Sequence, residues 1–258
     1  MKEFWDAHPY GDRELGWRAR LFLKPVLAVA SGKRVLELGC GMGAASAAVA
    51  EVAESVTAVD FSPAMLEGAR GRHGGIPNLT FVTADIVDDD LGGTYDIVFG
   101  TMVLHEVRTD RFDALCSNID RHMAPGSFAW FQENSYFNPL FRAFRSACVG
   151  RFGVPKLGSY DERPFDEERL ATLRARFRHV LRTAEAFALF EQINNYIVRA
   201  NALASRADAA DRFVSAHSPD KVRRALSYLQ HIYFSNDVPR VEAFAPALVC
   251  GGGRCAGG

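Results

Sequence analysis

Val35-Leu36-Glu37-Leu38-Gly39-Cys40-Gly41-Met42-Gly43 is the stretch that decides the fold. A run of buried-strand character ends in a glycine-rich turn, with the acid Glu37 near the strand's end. The small residues Ala44 to Ala50 come next and read as a helix. Glycines let a backbone turn sharply and come within contact distance of a ligand. A glycine turn alone is common to many nucleotide-binding folds, so the weight falls on the strands beyond it. Val56-Thr57-Ala58-Val59-Asp60 reads as a second strand ending in an acid, placed to accept from both hydroxyls of a ribose. Thr80 to Ile86 reads as a third strand ending in Asp85, placed to accept from an adenine amino group. Tyr95-Asp96-Ile97-Val98-Phe99-Gly100 reads as a fourth.

From 34 to 133 the chain alternates between strand and helix. The expected strands are 34–38, 55–60, 79–84, 95–100 and 127–133, and the expected helices 43–53, 63–72 and 111–122. Such alternation predicts an α/β fold, a doubly wound, mostly parallel seven-stranded sheet with helices on both faces. Ser62 and Pro63 are the expected cap and first turn of the second helix, and Asp110 the cap of the next. Residues 134–162 are too long for a simple connection and are rich in Phe and Arg. They read as an insertion, punctuated by Pro139, Gly153 and Pro155. Residues 164–176 then read as a delayed helix capped by Asp166, 178–190 as the sixth strand, 191–230 as a helical insertion and 241–249 as the last strand. The expected organisation is therefore N-terminal cap helices over 1–30, a cofactor-binding core over 31–133, the insertion over 134–162, the rest of the core over 163–250 and a disordered tail over 251–258.

The ordered set of segments resembles the class I S-adenosylmethionine-dependent methyltransferases of the small-molecule, natural-product type. The pieces that carry the resemblance are ELGCGMG (37–43), VD with FSPAML (59–66), ADI (84–86), YDIVFGTMVLHEV (95–107) and MAPGSFAWFQEN (123–134). They cover roughly half the chain. In this order they speak for the cofactor, S-adenosylmethionine, and its product S-adenosylhomocysteine, and are almost silent about the methyl acceptor. For the insertion over 134–162 the resemblance implies a helical lid. The resemblance implies that Gly39 and Gly41 let the backbone approach the amino-acid part of the cofactor, with the helix start at Gly43 helping to receive its carboxylate. It implies that Glu37 holds the ammonium, Asp60 the ribose and Asp85 the adenine amino group, with Phe61 and Ile86 on the two faces of the adenine. Cys40, Met65, Leu104 and Tyr10 complete the expected cofactor set. Each has a structural alternative: Asp60 as a turn cap, Ile86 as core, Glu37 paired with an arginine.

On the acceptor side, His105 follows the fourth strand and is the first candidate for a base, since an ordinary imidazole accepts a proton near neutrality. Its alternative is to donate to a backbone carbonyl and shape the pocket. Glu133, at the end of strand five, is the second catalytic candidate, with a buried pairing to Arg142 or Arg145 as the alternative. The aromatic content of the insertion suits a small aromatic or hydrophobic acceptor, and carbon, oxygen and nitrogen all remain open as the methylated atom. An oligomer contact is the insertion's other use. The cluster Glu191, Gln192, Asn194, Asn195 and Tyr196 could fix a polar substrate, with a solvated helix face as the favoured alternative, and the N-terminal aromatics Phe4, Trp5, Tyr10 and Trp17 are candidate lid residues over cofactor or acceptor, with capping of the sheet as theirs. Glu167-Glu168-Arg169 reads as a wet helix surface.

Bulk properties fit an enzyme of this kind. A net charge of −1 over 258 residues gives no drive toward nucleic acid. No apolar run approaches the roughly 20 residues that span a bilayer, and the N-terminus lacks a signal peptide's apolar core. Five scattered cysteines without paired zinc spacing read as reduced cytoplasmic thiols. No metal site is expected, because Asp88-Asp89-Asp90 cannot converge on one ion as neighbours. Two other enzymatic readings compete. One is a cyclase or pericyclic catalyst that keeps the cofactor on the same scaffold. The other is a nicotinamide-dependent oxidoreductase, against which the glycines run G-x-G-x-G rather than G-x-G-x-x-G. A non-catalytic subunit that activates a partner is the third alternative.

Overall fold

Interior strands of a parallel sheet are covered on both faces, so they read as continuous apolar runs. Arg34–Leu38 (β1) is such a strand: Val35, Leu36, Glu37 and Leu38 are all buried. In the computed structural model, which describes residues 23–148, 165–186, 190, 193–194, 198, 201–219, 221–222 and 227–238, β1 is flanked by two parallel neighbours. Ser55–Asp60 (β2) pairs on one side with Val35 opposite Val56, and Tyr95–Thr101 (β4) on the other with Val35 opposite Ile97. Leu79–Thr83 (β3) lies beyond β2. Met123–Asn134 (β5) extends β4, and His179–Ala186 (β6) and Leu229–Ser235 (β7) complete the sheet. The order is β3-β2-β1-β4-β5-β7-β6, and β7 alone runs antiparallel to its neighbours.

Helices among the described residues include Ala44–Ala50 (α1), Pro63–His73 (α2), Phe112–His122 (α3), Pro139–Cys148 (α4), Glu167–Arg176 (α5) and Ala204–His217 (α6). Alternation along each strand sends side chains to opposite faces. Leu36, Leu38, Val98 and Phe131 join Leu115, Leu170 and Leu173 in one core. Val35, Val56, Ile97 and Trp130 join Leu23, Val26 and Val49 in the other. The caps at Ser62 and Asp166 form as expected, accepting from Met65 N at 3.3 Å and Arg169 N at 3.2 Å.

Three expectations are corrected. The last strand among the described residues is β7, within and just past the segment read as helical; the stretch 241–249 lies outside the described residues. Asp110 does not cap α3, because its carboxylate is occupied by the Arg108 guanidinium at 2.8–3.0 Å. Arg169 is not on a wet surface but 1% exposed. Residues 1–22 and 239–258, and with them Tyr10, the other N-terminal aromatics and the tail, lie outside the described residues.

All seven residues of β7 are buried, among them the polar Gln230, His231 and Ser235. Gln230 is satisfied by donating to the carbonyls of Asn134 at 3.0 Å and Phe165 at 3.2 Å. His231 stands edge-on to Trp130, centroids 4.6 Å apart, and burial lowers its pKa to about 3. A neutral buried imidazole has a definite pH consequence. Its stability is fully present above the ordinary imidazole pKa of about 6.5 and is lost as pH falls toward 3, at up to about 1.4 kcal/mol per pH unit. His231→Leu should therefore lose less stability than the parent between pH 6.5 and 4, measured by denaturant titration; equal losses would refute the neutral assignment.

Candidate active site

The strand order reverses between β1 and β4, and in open α/β sheets the ligand crevice opens at the carboxyl ends of the strands flanking such a switch. The loops leaving β1 and β4 meet there. Gly39, at φ 69°, has no room for a side chain: a Cβ on it would lie 2.6 Å from Val103 Cγ2. Gly41, at φ 52°, is the opposite case, since a Cβ there would meet nothing within 4 Å. One glycine is required by close packing, and the other leaves open space beside the backbone.

Asp60, at the end of β2, braces this loop. One carboxylate oxygen accepts from Gly41 N at 2.8 Å and the other from Ser62 N at 2.9 Å. It also lines a cavity of about 450 Å³, within the range of small-molecule sites. Gly39, Phe61, Asp85 and Ile86 line the same cavity, so five of the residues expected to bind one ligand converge. Asp85 turns its loop by accepting from Val87 N at 2.9 Å. Val103, Glu106 and Val107 form the wall contributed by the loop after β4, and Arg108 and Arg111 stand at its edge.

Other expected members sit behind the wall. Met65 and Leu104 are packed in the interior, and Cys40 is 8% exposed. Glu37 is 1% exposed, and the Ser46 hydroxyl donates to it. No arginine pairs with it among the described residues. Burial, reinforced by the Asp60 carboxylate, raises its pKa to about 8. By the linkage sign, Glu37 stabilises the fold below the ordinary carboxyl pKa, and that contribution is lost as pH rises toward 8. Asp60 thus lines the cleft with the buried Glu37 behind it and, among the described residues, no arginine paired with Glu37. Such an arrangement suits a ligand carrying its own positive charge.

The two catalytic candidates are found together, as a buried pair. Glu133 is 0% exposed. Its Oε1 accepts from Val103 N at 2.9 Å and Leu104 N at 2.6 Å, and its Oε2 accepts from His105 Nδ1 at 2.7 Å. The other imidazole nitrogen is 3.4 Å from Glu106 Oε1. Burial opposes charge on His105, but the Glu133 and Glu106 carboxylates outweigh it and raise its pKa to about 10. The pairing favours the charged imidazole over the ordinary titration expected of a free base. Its ion-pair stabilisation is complete below about pH 6.5 and is lost as pH rises toward 10. Among the described side chains Glu133 is bonded to His105 and backbone, while Arg142 lies over the Tyr136 ring at 4.8 Å; the side chain of Arg145 lies outside those described.

Sequence reasoning missed two residues that shape this site. Glu106, the residue after His105, lines the cavity, and His105 does not. Arg169 on α5 crosses to donate to Val107 O at 2.6 Å. The Asp88–Asp90 acids diverge: Asp88 pairs with Arg111, Asp89 accepts from Asp85 N at 2.7 Å and Asp90 from Gly92 N at 3.0 Å. Among the described residues no group of three metal-ligating side chains converges, and no helix is long and apolar enough to cross a membrane. Residues 149–162 of the insertion and most of the 191–196 cluster lie outside the described residues; Asn194 is described, and it is buried.

Residues 35–126 match the methyltransferase-domain family. The chain is 30% identical over 151 residues to phosphoethanolamine N-methyltransferase 1 of Triticum aestivum, covering 53% of this chain and 30% of that protein. It is 32% identical over 128 residues to an uncharacterised methyltransferase of Synechocystis, covering 49% of this chain and 59% of the relative. The chain thus spans less than two thirds of the length of either relative. Among solved structures it resembles the N-methyltransferase NodS of Bradyrhizobium japonicum in complex with S-adenosylhomocysteine, with a TM-score of 0.55, 15% identity and coverage of 87% of this chain and 89% of that one. At that identity the likeness speaks for the fold.

Proposed function

Because the chain has the class I methyltransferase fold and its residues 35–126 belong to the methyltransferase-domain family, we propose that it is an S-adenosylmethionine-dependent methyltransferase acting on a small, aromatic or hydrophobic metabolite. The observation that carries this reading is the convergence of Gly39, Asp60, Phe61, Asp85 and Ile86 on one cavity at the switch point of the sheet. Asp60 takes the ribose hydroxyls, Asp85 the adenine amino group, and Phe61 and Ile86 the two faces of the ring. Glu37 answers the ammonium, directly or through water, and the ligand supplies its counter-charge.

When bound, the cofactor supplies a methyl group on a positive sulfur, already activated for in-line displacement. The chain then has to align the acceptor and exclude water. The apolar wall of Val103 and Val107 and the insertion leaving β5 do both. His105 donates Nδ1–H to Glu133, and the two neighbouring carboxylates favour its protonated form, so we read the pair as scaffold rather than as the base. This favours acceptors whose nucleophilic atom needs little help from a base. Phe137 and Tyr136, at the root of the insertion, supply aromatic surface for such an acceptor. The enzyme acts in the cytoplasm, in the secondary metabolism of small molecules.

Calorimetry tests the reading first. The chain should bind S-adenosylmethionine and S-adenosylhomocysteine with one site each and no added metal. Heat with a nicotinamide dinucleotide, and none with either sulfur ligand, would replace it with an oxidoreductase. Labelled methyl appearing in a product separates transfer from cofactor-retaining catalysis.

A further inference from the structure

The wall of the cavity is a short turn, 103–107, and it is held from both ends by buried charges that do not line the cavity. At its start, Glu133 on β5 accepts from the amides of Val103 and Leu104. At its end, Arg169 on α5 donates to the carbonyl of Val107 at 2.6 Å. In the middle, His105 joins Glu133 to Glu106. Directly before this turn the backbone is strained. Met102 takes φ 58°, a left-handed conformation disfavoured for a side chain of its size, and its amide is fixed by Gln132 O at 2.8 Å. A strained residue persists where the surroundings over-determine it, and here the bonds from β5 do so.

The two holding residues also sit at the two stems of the insertion. Glu133 comes two residues before Ser135, which bridges to Phe165, and Asp166 then caps the helix that carries Arg169. Tyr136 N donates to Phe165 O at 3.2 Å, and Gln230 ties Asn134 O to Phe165 O. The described ends of the insertion are thus the same segments that hold the 103–107 turn.

We propose that Glu133 and Arg169 are positioning residues that clamp the 103–107 turn against Gly39 and so set the shape of the cofactor cavity. The proposal rests on the methyltransferase reading for the identity of the ligand, while the clamp itself can be tested without one. Amide exchange reads it directly. Val103 and Leu104 should be protected in the parent, remain protected in Glu133→Gln, whose side-chain oxygen still accepts, and exchange at least about tenfold faster in Glu133→Ala. The ring of His105, faced by Glu133 and Glu106, should titrate at lower pH in Glu133→Gln. Arg169→Met should expose the other end of the turn.

The consequence for binding is a Kd for S-adenosylhomocysteine raised about tenfold or more in Glu133→Ala and Arg169→Met, and changed less than about threefold in Glu133→Gln. Leu173→Ala, a core truncation in the helix of Arg169, is the control: it should lower the melting temperature without that loss of affinity. If folded Glu133→Ala keeps both the amide protection and the affinity of the parent, the clamp is wrong. Should Glu133→Ala fail to fold, an unmoved His105 titration in Glu133→Gln with parental affinity in Arg169→Met overturns it equally. A parent chain that binds no S-adenosylhomocysteine refutes the functional reading instead, and the exchange data still decide the clamp.

Discussion

Asp60→Ala should weaken S-adenosylhomocysteine by at least an order of magnitude and leave a folded protein. Removing a carboxylate that accepts hydroxyl bonds costs about 1.5–3 kcal/mol, because such bonds are charge-assisted, and that corresponds to roughly 10- to 150-fold in Kd. The structure adds a second route to the same loss. Asp60 also receives the amides of Gly41 and Ser62, so its removal frees the glycine loop as well as the ribose site. Asp60→Asn separates the two routes: its amide oxygen can still accept one backbone bond while the charge is gone. Calorimetry on both variants, with melting curves beside it, gives the partition. Parental affinity in Asp60→Ala with a normal melting curve would show that Asp60 does not touch the ligand. The variant also removes a like charge from Glu37, whose pKa should fall from its raised value.

The segments from β1 to β5 were legible because their signals are local. A buried parallel strand declares itself in four or five residues, and the turns after β1, β2 and β3 carry their acids and glycines in sequence order. What sequence reasoning missed depends on partners far along the chain. His105 and Glu133 lie 28 residues apart and meet only because β4 and β5 are neighbours. Either one alone reads as a base or an acid facing the acceptor; together they form a buried ion pair. β7 was missed because Gln230 and His231 interrupt its apolar run, and their burial is made tolerable by carbonyls at 134 and 165 and by the Trp130 ring. Arg169 hid behind Glu167 and Glu168. Its spacing to Leu173, one turn on, did place it on the inward face, and that signal was available in the sequence.

The glycine loop gives the sharpest contrast between packing and binding. Gly39→Ala should lower both stability and affinity, because two penalties coincide. A side chain at φ 69° costs about 1–2 kcal/mol from backbone strain alone. The new Cβ would also lie 2.6 Å from Val103 Cγ2, a separation that forces the wall of the cavity to move. Each kcal/mol lost should appear as about 2–4 °C in melting temperature for a chain of this size. Gly41→Ala carries a comparable strain at φ 52° but meets no protein atom within 4 Å. Its stability loss should be limited to the strain, and any further loss of affinity must come from the ligand itself meeting the methyl group. Measuring melting temperature and S-adenosylhomocysteine affinity for both variants therefore maps the loop. Gly39→Ala should be the less stable protein, and Gly41→Ala should bind poorly out of proportion to its stability. A Gly39→Ala protein that melts with the parent would mean that Val103 does not press on the loop, and parental affinity in Gly41→Ala would place the ligand elsewhere in the cleft.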